Sequence, residues 1–329
     1  MPSTNAKQLY SLALAMLLPL LAVEVSGQPP AEGYTPPLTA WGHPDLQGVW
    51  NNNTNVPLER PDEFQGRATL SDEEVAERRR TQIEAVWGTS ERRVDVGGTG
   101  FYDHLWNEYG IDGNTSSLII EPADGRLPAL TAEGERDRAT GAPPVQRAPT
   151  SLGDLTVYER CITRGLPGAM LPGFYNHNYH IVQTPEYVAI VVEMIHDVRI
   201  IPLDGRPHLA PEIRQWLGDS RGRWEGDTLV VETTRFPDWL SQRGLVRPYD
   251  FHLQGADLRL VERFTRVNEN TIDYRITVEE PRTYTDSWTA AIPLNRFGGT
   301  LFEYACHEGN YALPNMLAGA RAREAAGVQ

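Results

Sequence analysis

The chain has 329 residues, of which 40% are hydrophobic and 22% charged, so disorder over the whole length is excluded and one large domain with a buried core is expected. The formal net charge of -14 at pH 7 argues against a nucleic-acid partner. Lys7 is the only lysine, and the segment that contains it is predicted to be removed on export. The mature chain then has no lysine for a Schiff base or for the phosphate loop of the usual nucleotide triphosphatases, and no cofactor is predicted.

The first 27 residues have the pattern of a secretory signal peptide. Lys7 precedes an apolar run over residues 9–23, and the small residues Ser26 and Gly27 suit cleavage before Gln28. Pro19 interrupts this run, and no later stretch has the roughly 20 apolar residues that a membrane span needs. We therefore expect a soluble bacterial protein without a membrane span, located in the periplasm or secreted.

Residues 28–150 are predicted to form an extended and helical wrap rather than a separate core. The segment Gly42–Trp50 reads as an extended arm docked by its aromatic residues. Ser71 and Glu74 form a capping box, which predicts a helix over Asp72–Trp87, and a weaker helix is expected to start at Thr131.

Residues 151–329 are predicted to form a mainly β domain. Short β-forming runs separated by tight turns favour an antiparallel meander, and closure would remove its exposed edges. We expect eight to ten strands in a lipocalin-like barrel or a strongly curled sheet. The predicted strands are Val157–Ile162, His180–Thr184, Tyr187–Ile195, Val198–Pro202, Trp224–Phe236, Leu258–Val267, Thr271–Glu279, Ser287–Leu294 and Leu301–Cys306.

The two cysteines, Cys161 and Cys306, are predicted to form one disulfide, because exported proteins fold under oxidising conditions. Closing a loop with a separation of 145 residues would contribute about 5 kcal/mol in the chain-entropy model. The alternative is a reactive thiol at Cys306, which has His307 beside it.

Glu193 lies in a run that is apolar on both faces, which places its carboxylate among buried neighbours. A buried carboxylate either pairs with a cation or keeps its proton, so Glu193 reads as a structural ion pair or as a general acid or base. The candidate charge partners are Arg199, Arg206 and Arg263, and His196 lies on the next turn of chain.

A second group of titratable residues follows the predicted last strand. Tyr304 and His307 flank Cys306, where a disulfide would fix the backbone for proton transfer, although they also suit a strand end that bonds only to the backbone. We predict that Glu193, His196, Tyr304 and His307 face one cavity as catalytic residues. Tyr175 and Tyr179 are predicted to contribute to ligand binding.

A metal site is a weak alternative. His177 and His180 are separated by three positions and point to opposite faces of an extended chain, so they meet at a metal only if the segment bends. The segment Gly218–Gly222 matches the G-x-S-x-G pattern of serine hydrolases, but a β-run follows it where a helix is required. It is predicted to be a glycine-rich turn, and His208 is assigned to a loop without a role.

Two motifs, Gly218-Asp219-Ser220-Arg221-Gly222-Arg223-Trp224-Glu225-Gly226-Asp227-Thr228-Leu229-Val230-Val231-Glu232-Thr233 and Glu303-Tyr304-Ala305-Cys306-His307-Glu308-Gly309-Asn310, resemble those of a family of exported bacterial proteins without an assigned activity. The likeness covers most of the mature chain and implies one integrated domain. It supplies no catalytic residues. Members of that family carry asparagine where this chain has His177, which makes a metal site there less expected.

Two functions remain open at this point. One is an exported, cofactor-independent enzyme doing acid–base chemistry, as a lyase, isomerase or hydrolase, on a neutral or cationic small molecule or a glycan end. The other is a lipocalin-like binding protein for an apolar or aromatic ligand. A cavity lined by charged groups would favour the enzyme, and an apolar cavity would favour the binding protein.

Overall fold

The structure, a computed structural model, describes residues 31, 33–87, 110, 112–140, 149, 151–155, 157–173, 175–237 and 255–327. Across these residues, ten antiparallel strands form one sheet that curls into a nearly closed barrel, which confirms the predicted fold class. The strands are β1 (Gly48–Asn51), β2 (Ile119–Glu121), β3 (Asn178–Gln183), β4 (Tyr187–Val192), β5 (Val198–Pro202), β6 (Asp219–Glu225), β7 (Thr228–Thr234), β8 (Arg259–Asn268), β9 (Thr271–Glu279) and β10 (Trp288–Arg296). The helices in the same residues are α1 (Asp72–Trp87), α2 (Ala132–Thr140) and α3 (Ala312–Ala325). The predicted signal peptide lies outside the described residues.

The hydrogen-bonded path through the barrel runs β5-β4-β3-β1-β10-β9-β8-β7-β6, and β2 pairs with β10 beside it. Its two ends, β5 and β6, meet at a seam where close packing replaces a backbone ladder in the described chain. A Cβ atom at Gly222 of β6 would lie 2.8 Å from Ile201 Cγ2 and 2.7 Å from Leu203 Cδ2. A larger residue there would force the side chains of Ile201 and Leu203 to move, so glycine lets the two strands approach closely.

The interior of the barrel is filled by side chains. Alternate residues of each strand point inward, as strand geometry requires, and many of the largest are fully buried. These include Trp50, Trp288, Tyr179, Tyr274 and Phe264. The arm before β1 covers one end of the barrel, where the Gln183 side chain accepts a hydrogen bond from Leu46 N–H at 2.6 Å and donates to the Pro44 carbonyl at 3.1 Å.

Several predicted elements are confirmed with their bounds, namely α1, β5 and β9. The capping box of α1 is present, with Ser71 N–H donating to Glu74 Oε2 at 2.8 Å. The end of the arm is the barrel strand β1 rather than part of a wrap, because it hydrogen-bonds to β3 and β10 on its two sides. The predicted division of the chain thus leaves two strands of the sheet, β1 and β2, in the N-terminal part.

Several local predictions are wrong. The strand predicted over residues 187–195 ends at Val192, and the one predicted over residues 224–236 is divided between β6 and β7 by a turn. Residues 157–162 form turns, since Cys161 has a positive φ of 55° and its N–H bonds to the Tyr158 carbonyl. Residues 301–306 also form no strand, and the N–H of Cys306 bonds to the carbonyl of Tyr304. The segment predicted as a glycine-rich turn is instead strand β6, which pairs with β7 along its whole length.

Cys161 and Cys306 are joined by a disulfide, as predicted, and their Cα atoms are 5.7 Å apart. This bond fixes the segment after β10 to the turns before β3. A disulfide is consistent with folding in an oxidising, extracytoplasmic environment. Among the helices of the described residues, none combines the length and apolar character needed to cross a membrane.

Candidate functional site

Glu193 sits at the end of β4, directly before a 3₁₀ turn over Met194–His196, and is 3% exposed. The Asn178 side-chain amide donates to its Oε2 at 2.5 Å, and the N–H of Phe302 donates to its Oε1 at 3.0 Å. The carboxylate is therefore stabilised by amide hydrogen bonds rather than by a cation. Both oxygens are occupied, as expected of a buried charge.

The arginines predicted as partners of Glu193 bind other carboxylates, so that prediction is wrong. Arg199 points into the barrel and forms two hydrogen bonds to Glu262, at 2.9 and 2.5 Å. Arg263 pairs with Glu225 at 2.9 Å. Arg206 pairs with its chain neighbour Asp204. The reason is strand alternation, which turns Arg199 inward toward β8 and leaves Arg263 on the outer face.

The other three predicted catalytic residues do not share one buried cavity with Glu193. His196 and His307 are both exposed, and Tyr304 is half-buried against the core. The structure does bring their segments together, because Phe302 contacts Glu193 and the disulfide anchors Cys306 nearby. The backbone of residues 301–306 therefore lies close to Glu193, but the side chains of His196, Tyr304 and His307 do not join the buried Glu193 carboxylate.

The two histidines of the weak metal alternative lie in different environments. His177 is buried, and its Nε2 contacts Arg164 Nη1 at 2.9 Å. Burial, assisted by the charge of Arg164, holds the pKa of His177 well below its usual value, so the ring is neutral. His180 is exposed on β3. In the described part of the chain, no three His, Cys, Asp or Glu side chains are arranged to hold a metal ion.

The two tyrosines predicted to bind a ligand contribute to the core. Tyr179 is fully buried, and its hydroxyl donates to the Ala169 carbonyl at 3.0 Å. Tyr175 is half-buried and packs against the same core cluster. Tyr179 is thus occupied by a structural hydrogen bond inside the barrel.

A more complete arrangement of titratable groups lies on the outer face of β6 and β7. His208, in the connection between β5 and β6, places Nδ1 2.8 Å from Asp219 Oδ2. The same oxygen accepts the N–H of Leu209 at 3.0 Å, and Asp219 Oδ1 accepts from Arg221 at 2.7 Å. Because Asp219 can only accept these bonds, Nδ1 of His208 carries a proton.

Glu232 of β7 stands on the other side of this imidazole, with Oε1 3.4 Å from His208 Nε2. Arg259 of β8 pairs with Glu232 at 2.6 Å and with Glu279 of β9 at 2.5 Å. The hydrogen bond from Arg259 is the main cause that lowers the pKa of Glu232 below its usual value, so this carboxylate is ionised at neutral pH. The His208 side chain is 19% exposed, which leaves it reachable from solvent.

Ser220, the serine of the G-x-S-x-G pattern, is not part of this group. It points toward the interior, where its hydroxyl hydrogen-bonds Thr233 Oγ1 at 2.9 Å. The strand assignment explains this, because neighbouring residues of β6 point to opposite faces and Asp219 points outward. The structure therefore supports the rejection of a serine nucleophile at this motif.

Sequence reasoning missed His208 because its two partners, Asp219 and Glu232, come from two different strands. The pairing of β6 with β7 sets Arg221 directly opposite Glu232, and this register brings the carboxylates of Asp219 and Glu232 to the same face. One available signal was the short spacing between His208 and Asp219, with Pro207 before the histidine. Comparison of the chain with protein-family models, with curated proteins and with solved structures gives no match.

Proposed function

We propose that the protein is an exported, cofactor-independent enzyme in which His208 transfers a proton at the outer face of β6 and β7. The observation that carries the proposal is the placement of His208: its Nδ1 lies 2.8 Å from Asp219 Oδ2, its Nε2 lies 3.4 Å from Glu232 Oε1, and its side chain is 19% exposed. A partly exposed imidazole that a carboxylate orients is a usual general acid or base of proteins near neutral pH.

In this mechanism Nε2 of His208 accepts a proton from a water molecule or from a substrate hydroxyl or carbon acid. Glu232, 3.4 Å from Nε2, stabilises the imidazolium that forms, and Asp219 stabilises it at Nδ1. The imidazolium then returns the proton to a leaving group or to the rearranged substrate. These two proton transfers would serve a hydrolase, a lyase or an isomerase equally.

The charge of the site restricts the substrate. Asp219, Glu232 and Glu279 carry negative charges that are only partly neutralised by Arg221 and Arg259. Together with the overall charge of -14, this arrangement repels anions. A neutral or cationic small molecule, or the neutral end of a glycan, fits best.

The test is a comparison of His208→Asn with the wild-type protein on neutral 4-nitrophenyl esters and glycosides. We expect kcat to fall by about a hundredfold or more. His180→Asn is the matched control, because His180 is also a surface histidine on the outside of the barrel, and it should leave kcat unchanged. Equal activity of His208→Asn and wild type, or no turnover by the wild type, would contradict the proposal.

A lipocalin-like binding protein is the second candidate, and one observation favours it. Val182, Val198 and Ile200 share the outer face of β3–β5 and are 38%, 49% and 54% exposed, which is unusual for large apolar side chains on neighbouring strands. An apolar ligand would then bind outside the barrel, since the interior is filled. Ile200→Ser should weaken the fluorescence of a bound apolar dye if this surface binds ligands.

A further inference from the structure

The segment Leu301–Asn310, here called the C-terminal strap, crosses the end of β4 after leaving β10. Apolar burial contributes little to its attachment, since most of its residues are exposed and Phe302 is 74% exposed. Only Tyr304 and Cys306 pack partly against the core. The strap therefore depends on a few specific bonds.

Two of these bonds hold the strap where it covers Glu193. The N–H of Phe302 donates to Glu193 Oε1 at 3.0 Å, and Cys306 is bonded covalently to Cys161. Beneath the strap, Glu193 continues into a chain of polar groups, with Asn178 donating to Glu193 and Asn51 donating to Asn178 at 2.7 Å. The strap thus closes over a buried carboxylate that already has its own supporting amides.

The two sulfur atoms of the disulfide have different surroundings. Cys161 is 3% exposed, whereas Cys306 is only half-buried and lies on the strap. The side-chain amide of Asn310 donates a hydrogen bond to Cys161 Sγ at 3.3 Å. A thiolate that attacks the less buried cysteine, Cys306, would expel Cys161 as the leaving thiolate, and this hydrogen bond stabilises the departing charge.

We propose that the C-terminal strap is a redox-released cover of Glu193. A dithiol reductant attacks Cys306 to form a mixed disulfide, Cys161 leaves as a thiolate and takes up a proton, and the second thiol of the reductant completes its own disulfide. Two electrons and two protons pass to Cys161 and Cys306. Once the disulfide is reduced, non-covalent contacts alone hold the strap, and it moves off the barrel and exposes Glu193 and Asn178. This device is independent of the proposed chemistry at His208.

The first test measures hydrogen exchange of the full-length protein with and without dithiothreitol. We expect exchange in the peptide covering residues 301–310, and at the Glu193 turn, to accelerate about tenfold or more on reduction, while β7, β8 and β9 keep their protection. Unchanged exchange in the strap would overturn the proposal. Loss of protection throughout the barrel would also overturn it, because the disulfide would then support the whole fold.

The second test locates the attack. After brief treatment with glutathione, the trapped mixed disulfide should map to Cys306, and an adduct on Cys161 would contradict the mechanism. Asn310→Asp retains an acceptor for the N–H of Ala312, which Asn310 Oδ1 binds at 3.0 Å, but removes the donor to Cys161. We expect this variant to be reduced several-fold more slowly than wild type. Asn315→Asp, an exposed asparagine in α3, is the matched control and should be reduced at the wild-type rate.

Discussion

The protein has two charged clusters, one inside the barrel and one on its outer face. They contain similar residues but differ in their exposure to solvent. Inside, Arg199 and Glu262 are 1% and 0% exposed and bind each other through two hydrogen bonds, and the Tyr274 hydroxyl donates to Glu262 at 2.9 Å. Outside, His208 lies between Asp219 and Glu232, and its side chain is 19% exposed. Exposure to solvent, rather than the kind of residue, separates the two clusters, and the proton transfer proposed for His208 needs this exposure.

Burial and the charges of neighbouring residues set the pKa values of the inner cluster. Burial alone lowers the pKa of Arg199, but the charge of Glu262 and its hydrogen bonds outweigh burial and keep the pKa raised. Burial, together with the negative charge of Glu262, raises the pKa of Tyr274 well above its usual value. Arg199 therefore stays charged and Tyr274 stays protonated, so neither can take part in proton transfer near neutral pH.

The largest effect on stability is expected from breaking the inner pair. Glu262→Gln leaves Arg199 charged and buried without its counter-charge, which should lower the free energy of unfolding by about 3–5 kcal/mol. Urea denaturation measures this difference. A loss below about 1 kcal/mol would show that the inner pair is not isolated from water.

Replacing both partners sharpens the same comparison. Arg199→Met combined with Glu262→Met removes both charges and fills a similar volume, so most of the stability lost in Glu262→Gln should return. Thermal unfolding of the double variant beside each single variant measures the recovery. A double variant as unstable as the worse single variant would mean that the pair is needed for more than mutual neutralisation.

The outer cluster should respond in activity rather than in stability. His208→Asn leaves Asp219 bonded to Leu209 and Arg221, so the expected loss in unfolding free energy is only about 1 kcal/mol. Urea denaturation of the variant used in the activity assay provides this value. A loss as large as that of Glu262→Gln would identify His208 as a structural residue.

The smallest effect is expected at low pH. Because the pKa of Glu232 is lowered in the folded protein, its ion pair adds stability above the unfolded-state value near 4.5, and this stability is lost as the pH falls through the folded pKa. Glu232→Gln should therefore be less stable than wild type at pH 7 and nearly equal to it under strongly acidic conditions. Unfolding measured across acidic pH tests this convergence, and parallel curves would contradict it.

The sequence predicted those elements whose signals are local. Alternating β-branched residues and explicit turns gave β5 and β9 with their bounds, and a capping box gave the start of α1. Strand β6 was missed because glycine, serine and charged residues have low β-propensity. Its conformation comes from pairing with β7 and from the need for Gly222 at the seam, both of which are long-range effects.

The site was harder to predict than the fold, and for a physical reason. Glu193 was expected to be buried, which is correct, but its partners are the amides of Asn178 and Phe302, neither of which has a charge that sequence reasoning could match to it. His208 gains its second carboxylate neighbour only because the strand register places Glu232 beside it. Composition can identify a residue that needs a partner, but register decides which partner it finds.

The seam between β5 and β6 has a mechanical consequence. The connection over residues 203–218 leaves β5 and is fastened on the far side of the seam, where Arg221 binds the Pro207 carbonyl at 3.0 Å and Arg235 binds the Leu209 carbonyl at 2.9 Å. Together with the bond between His208 and Asp219, these bonds hold the connection that joins β5 to β6 across the seam. The bonds that fasten this connection also position the imidazole of His208, so separation of β5 from β6 would also disturb the surroundings of His208.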